Sequence, residues 1–159
     1  MTGELRLYTF CNFYLSSFQQ GWQSGHLISK LFVKYEKSKP QLPDLEYHKT
    51  RERFENARQM LWTWAQYYET GIVLNGGDAQ DIAELAYFFT SRDNPYPWAS
   101  FHESNRALGG VITVTGIILP EKFFPEENNA PASVEELLKQ YTPWEMELVA
   151  RKSKCGLAR

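Results

Sequence analysis

Residues 5–15 read Leu5-Arg6-Leu7-Tyr8-Thr9-Phe10-Cys11-Asn12-Phe13-Tyr14-Leu15, and this stretch decides the fold. In an extended chain Leu7, Thr9, Cys11, Phe13 and Leu15 face one way, and Tyr8, Phe10, Asn12 and Tyr14 the other. Both sets are mostly apolar. Such a strand belongs inside a sheet covered on both faces by helices. Asn12 is the polar exception, and it needs a hydrogen-bond partner if buried.

Working outward, Ser16-Ser17 ends the strand and a helical pattern follows over about 19–37. Trp22, His26, Leu27, Leu31 and Tyr35 recur at helical spacing. Gly21 and Gly25, four apart, would let another backbone approach closely. After the proline-bearing loop 38–44, a long helix is expected over 46–69, with Phe54, Ala57, Leu61, Trp64 and Tyr68 inward and a charged first half in water. Thr70 to Leu74 reads as a short buried strand. Asn75-Gly76-Gly77 turns into a helix capped by Asp78, with Ile82, Leu85, Ala86 and Phe89 as its core face.

Strands are expected at 98–102 and 111–119, the latter strongly β-branched, and eight or nine connecting residues make them an antiparallel pair. Two capping boxes, Ser133 with Glu136 and Thr142 with Glu145, open short helices. Leu137, Leu138, Trp144 and Leu148 are the apolar handles of that tail. The order of elements predicts an α/β three-layer sandwich on a four-stranded mixed sheet. Residues 1–127 are read as the α/β domain, with 46–69 as an inserted helix, and 128–159 as a helical C-terminal extension.

Composition narrows the function classes. Seventeen Lys and Arg against nineteen Asp and Glu leave a net charge of −2, which argues against broad binding to a nucleic-acid backbone. Five Trp, nine Tyr and ten Phe must fill a core, line a cleft or cover an interface. Cys11 and Cys155 do not form a disulfide framework. Residues 1–15 lack a secretory h-region, and no apolar run approaches the ~20 residues of a membrane span. The expectation is a cytoplasmic protein with no membrane partner.

The chain has no P-loop, nucleophile-elbow, paired CxxC or HExxH pattern. His26, His48 and His102 are scattered, so neither a metal nor a cofactor is expected. The Gly76-Gly77 junction reads as a tight turn, because Asp78, Asp81 and Glu84 put negative charge where a phosphate would sit. Two segments carry the candidate chemistry. In 101–110, His102, Glu103, Ser104, Asn105 and Arg106 gather donors, acceptors and one fixed guanidinium that suits phosphate or carboxylate. After the first strand, Ser16, Ser17, Gln19, Gln20 and Gln23 form an uncharged polar cluster suited to amides and base edges. Asn12, Ser17, Trp22, His26 and His102 are secondary candidates.

Together these segments resemble the type II peptidyl-tRNA hydrolases. The opening strand, its polar turn and Gln23-Ser24-Gly25-His26 are similar to that family's first strand and Ala-Gln and His-Ala helix. Glu103-Ser104-Asn105-Arg106, followed by Ile112-Thr113-Val114 and Pro120, resembles its Asp-Ala-Gly-Arg-Thr loop and last strand. The resemblance covers about residues 5–122. The wording FCNFYLSSFQQGWQSGH and IVLNGG is also similar to uncharacterised proteins of large tailed phages.

The departures bear on activity. The family's catalytic lysine falls at Gln19, its aspartate at Glu103, its glycine at Asn105 and its threonine at Ala107, while Arg106 is retained. Ester hydrolysis needs a positioned base or water and a stabilised oxyanion, and these losses remove much of both. The resemblance therefore implies a cleft that binds without turnover. Gln19, Gln23, Glu103, Asn105 and Arg106 would hold a small nucleotide-type ligand, such as a host-defence signalling nucleotide sequestered by a phage protein in the host cytoplasm. The alternatives are a peptidyl-tRNA or related ester hydrolase, with tRNA as partner and Glu103 positioning water, and a phage protein that binds a host protein. A homo-oligomer is a candidate assembly.

Overall fold

A computed structural model of the chain describes residues 3–37, 44–124 and 134–158. The fold is α/β, with a four-stranded mixed sheet and six α-helices among the described residues. The strands are β1 (Leu5–Cys11), β2 (Gly71–Asn75), β3 (Trp98–His102) and β4 (Ile112–Pro120), in the order β2-β1-β4-β3. β1 runs parallel to β2 and antiparallel to β4, and β3 pairs antiparallel with β4.

β1 is internal, as its two apolar faces demand: five of its residues, Leu7 to Cys11, are buried in succession. It ends earlier than the alternation predicts, at Cys11 rather than Leu15. The buried Asn12 side chain accepts a hydrogen bond from the Tyr14 N–H (3.0 Å), which bends the backbone out of the ladder. Phe13 and Tyr14 are consequently exposed, with their ring centroids 3.9 Å apart.

α1 (Ser17–Lys37) lies on the sheet face of Thr9 and Cys11, and α2 (Asp44–Thr63) packs against α1. Ser24 Oγ of α1 lies 3.3 Å from Thr9 Oγ1 and 3.8 Å from Cys11 Sγ. Gly116, paired with Thr9, lets α1 come this close: a Cβ there would stand 2.4 Å from Leu27 and 2.7 Å from the Tyr8 carbonyl. The long helix expected over 46–69 is not uniform. It passes from α2 into a π-helical turn, Trp64–Tyr68, closed by Glu69 with a left-handed φ of 51°. Ala57, Met60, Leu61 and Trp64 are buried, so this half packs into the body.

α3 (Ala79–Phe89) covers the other face, where Phe89 meets Phe10 and Trp98. Asp78 forms its capping box with Asp81, the tight-turn arrangement expected of Gly76-Gly77-Asp78. α4 (Asn105–Leu108) is a single turn within the β3–β4 connection, where a plain loop was expected. α5 (Val134–Gln140) and α6 (Pro143–Ser153) form the tail, and the Thr142–Glu145 capping box with Pro143 opens α6 as predicted. Ser133 and the Leu137 side chain lie outside the described residues. Leu138 is 58% exposed and is no handle, whereas Trp144 and Leu148 are buried and Trp144 stacks on Phe88 of α3 (4.9 Å, 3°). Beyond α6, Leu157 bridges Leu74, with Asn75 N–H donating to Gly156 O and Ala158 N–H to Val73 O. The outer edge of β2 is thereby occupied.

Candidate functional site

The strand directions bring the carboxyl ends of β1, β2 and β3 and the start of β4 to one end of the sheet. Segments 12–16, 76–78 and 103–111 meet there. In sheets of this kind, ligands bind outside the carboxyl ends of parallel strands, where successive connections leave toward opposite faces. β1 leads to α1 on one face, and β2 to α3 on the other. Two backbone bonds fasten the segments: Phe13 N–H to Gly77 O (3.0 Å) and Asn12 N–H to Thr113 O (3.0 Å).

The central polar contact crosses 80 residues of sequence. Gln23 Nε2 of α1 donates to Glu103 Oε1 at 2.5 Å. Gln23 is buried, as expected of the glutamine beside Trp22, and its Oε1 has no hydrogen-bond partner. One turn along, His26 packs on Phe101 of β3 (4.5 Å) and takes the edge of Trp22 (5.8 Å). His26 Nδ1 is likewise buried without a partner. Lys30 Nζ lies 5.9 Å from the Phe101 ring, adding a positive charge to this aromatic row. Phe101 and Lys30 were not among the candidates read from sequence; the apolar–polar alternation of β3 was the available signal for Phe101.

The other candidates separate into three groups. Gln19 is committed to the helix start: its Oε1 accepts from Ser16 N–H (2.9 Å) and Ser16 Oγ (3.1 Å), while its own N–H donates to Ser16 Oγ (3.3 Å). This reciprocal arrangement is a capping box in which Ser16 caps α1; Ser17, the first residue of α1, is exposed. Asn12 spends its side-chain oxygen on the turn, and Gln20, also buried, donates to Leu15 O (3.0 Å). Asn105 and Arg106 are exposed on α4, whose N-cap is Ser104. Asn105 Oδ1 lies 2.7 Å from where a Cβ on Gly110 would stand, and Gly110 has a φ of 77°. Arg106 makes no ion pair among the described residues, and Glu103 takes Gln23 rather than Arg106 as its partner. His102 is exposed beside the register shift in β3.

Among the described residues two concavities lie along α3 and α6, and the first reaches this end of the sheet at Asn75, Gly76 and Gly77. One of about 460 Å³ is lined by Gly77, Asp81, Glu84, Arg151, Lys154 and Cys155. The other, of about 780 Å³, is lined by Ala83, Tyr87, Phe88, Trp144 and Arg151 among others. Arg151, common to both, pairs with Glu147 at 2.8 Å and lies over the Phe88 ring at 4.8 Å. No group of His, Cys, Asp and Glu among the described residues could hold a metal ion. No helix of the described residues is long and apolar enough to cross a membrane. Burial pushes the Cys11 thiol up to about 11, which removes it as a nucleophile.

The chain matches no family model and no curated protein.

Proposed function

We propose that the protein binds a small nucleotide-type ligand at the carboxyl end of its sheet and does not turn it over. The observation that carries this reading is the Gln23–Glu103 hydrogen bond, which joins α1 to the β3–β4 connection at the place where such sheets bind ligands. An amide and a carboxylate held together offer donors and acceptors to a base edge or a ribose hydroxyl. His26 and Phe101 supply apolar, planar surface beside them, and Arg106, uncommitted and on the same connection, suits an anionic group.

Absence of turnover follows from the available groups. At the position corresponding to the hydrolase lysine, Gln19 bears no charge and its side chain closes a helix cap. Ala107 offers no hydroxyl. A binder of this kind acts by sequestration, and a phage protein that withdraws a host signalling nucleotide is the setting that the sequence resemblance favours.

Isothermal titration against mono-, di- and cyclic nucleotides tests the reading. At least one should bind with 1:1 stoichiometry per chain. Arg106→Ala should weaken binding about tenfold, or about 1.4 kcal/mol, and Gln23→Leu should do the same or more. Failure of the whole panel, or binding unchanged in both variants, overturns the assignment. Peptidyl-tRNA cleavage that disappears in Glu103→Gln would replace it with the hydrolase reading.

A further inference from the structure

The outward face of α1 is not the polar face that a solvated helix carries. Phe18 is 80% exposed, Trp22 63% and Val33 48%. Gly21, Gly25 and Ser29 lie exposed between them. At 100° per residue these six positions fall in one stripe, and from Phe18 to Val33 the stripe holds no charged side chain; Glu36, farther along it, is paired with Arg58 of α2. The glycines sharpen the case. Glycine inside a helix is destabilising, yet a Cβ added at Gly21 or Gly25 would meet nothing within 4 Å. Nothing within one copy uses the space these two positions leave.

We propose that this stripe is a self-association surface, on which α1 of a second copy packs antiparallel about a two-fold axis at Gly25. Pairing about that point sets Gly25 against Gly25, Gly21 against Ser29 and Phe18 against Phe32, with Val33 beside it. Trp22 then overlies the gap beside Ser29, so large side chains meet small ones along the contact. Small residues at the crossing let the two backbones approach closely. An uncharged stripe meets its own copy without the like-charge repulsion that a solvated face would bring.

Area sets the strength. Phe18, Trp22 and Val33 together expose on the order of 400 Å² per copy, given the 150–250 Å² that an aromatic side chain buries. A pair thus removes roughly 800 Å² before flanking residues are counted, against the ~1,000 Å² that a specific interface clears. The dimer is accordingly a concentration-dependent one. The inference does not rest on the ligand reading: Trp22 also touches His26, but Gly25→Leu tests the surface without altering the Gln23–Glu103 contact.

Sedimentation velocity on the full chain, from about 1 µM to about 1 mM, tests it. The mass should rise from one copy toward two. Gly25→Leu should raise the dissociation constant at least tenfold without lowering the melting temperature, because its side chain enters open space in a single copy and leucine favours helix. Trp22→Glu should do the same by placing like charges across the axis. Three results overturn the proposal: a single-copy mass throughout, a dimer unchanged in both variants, or association seen only with a different protein.

Discussion

Glu145 shows how one residue serves two scales of structure. It is 4% exposed, closes the α6 capping box through the Thr142 N–H, and takes both Lys122 Nζ (2.7 Å) and the Tyr96 hydroxyl on Oε1. Burial alone would push its carboxyl up, but Lys122, Tyr96 and the Thr142 N–H outweigh that and hold it below the ordinary range. Stability from this site is therefore full above about pH 4.3, the unfolded value, and is lost as pH falls through the lower folded value. Glu145→Gln keeps the cap, since glutamine serves equally at that position, but removes the charge. Lys122 is 38% exposed and stays solvated, so the cost should be about 2 kcal/mol rather than the 3–5 of a fully buried pair. Urea unfolding at pH 7 and pH 4 checks this: the variant should be weaker at pH 7 and should lose part of the acid sensitivity. The thiols make a second residue-scale case. Cys11 is fully buried and Cys155 half-buried. Ellman's reagent at pH 8 should titrate Cys155 in the native protein and Cys11 only on unfolding.

At the scale of elements, β1 and β4 set the tolerance of the sheet. Gly116→Ala must push against the Tyr8 carbonyl, which is backbone and cannot give, as well as against Leu27. It should cost about 1–3 kcal/mol, as overpacking does, measurable as a lowered urea midpoint. Glu69 presents the reverse case. Its left-handed φ of 51° closes the π-helical turn, so Glu69→Gly should stabilise by up to about 1 kcal/mol in the same assay. Much of this architecture was legible from periodicity. The two-faced apolarity of Leu7 to Cys11 placed an internal strand, and the Asp78 and Thr142 caps placed helix starts correctly. The end of β1 was not legible, because Phe13 and Tyr14 continue the apolar pattern and only the local Asn12–Tyr14 bond breaks the strand. Ser16-x-x-Gln19 was readable as a capping box, but the resemblance drew Gln19 toward the site. Gln23 with Glu103, and Tyr96 with Glu145, lie too far apart in sequence for any spacing rule to join them.

The whole molecule protects both edges of its sheet. Residues 156–158 lie along β2, and on β3 the Trp98 N–H donates to Tyr35 Oη (3.1 Å) while Lys34 Nζ donates to the Trp98 carbonyl (2.9 Å). Exposed edges template aggregation, and a lysine on the edge is one of the devices that prevents it. Removing residues 156–159 should therefore raise aggregation on heating, followed by light scattering, with little change in the melting temperature because Leu157 is 72% exposed and buries almost nothing. The placement of β1 carries a consequence for timing. β1 leaves the ribosome before both its neighbours, yet Leu7 pairs with Gly71 on one side and Ile118 on the other. During synthesis α1 follows at once to cover one face, but the edge of β1 that β4 takes must wait for more than a hundred further residues, and contacts so distant in sequence form slowly. The interval between translating β1 and translating β4 is thus when the nascent chain most needs a chaperone, and slowing translation between them would lengthen that exposure without altering the finished fold.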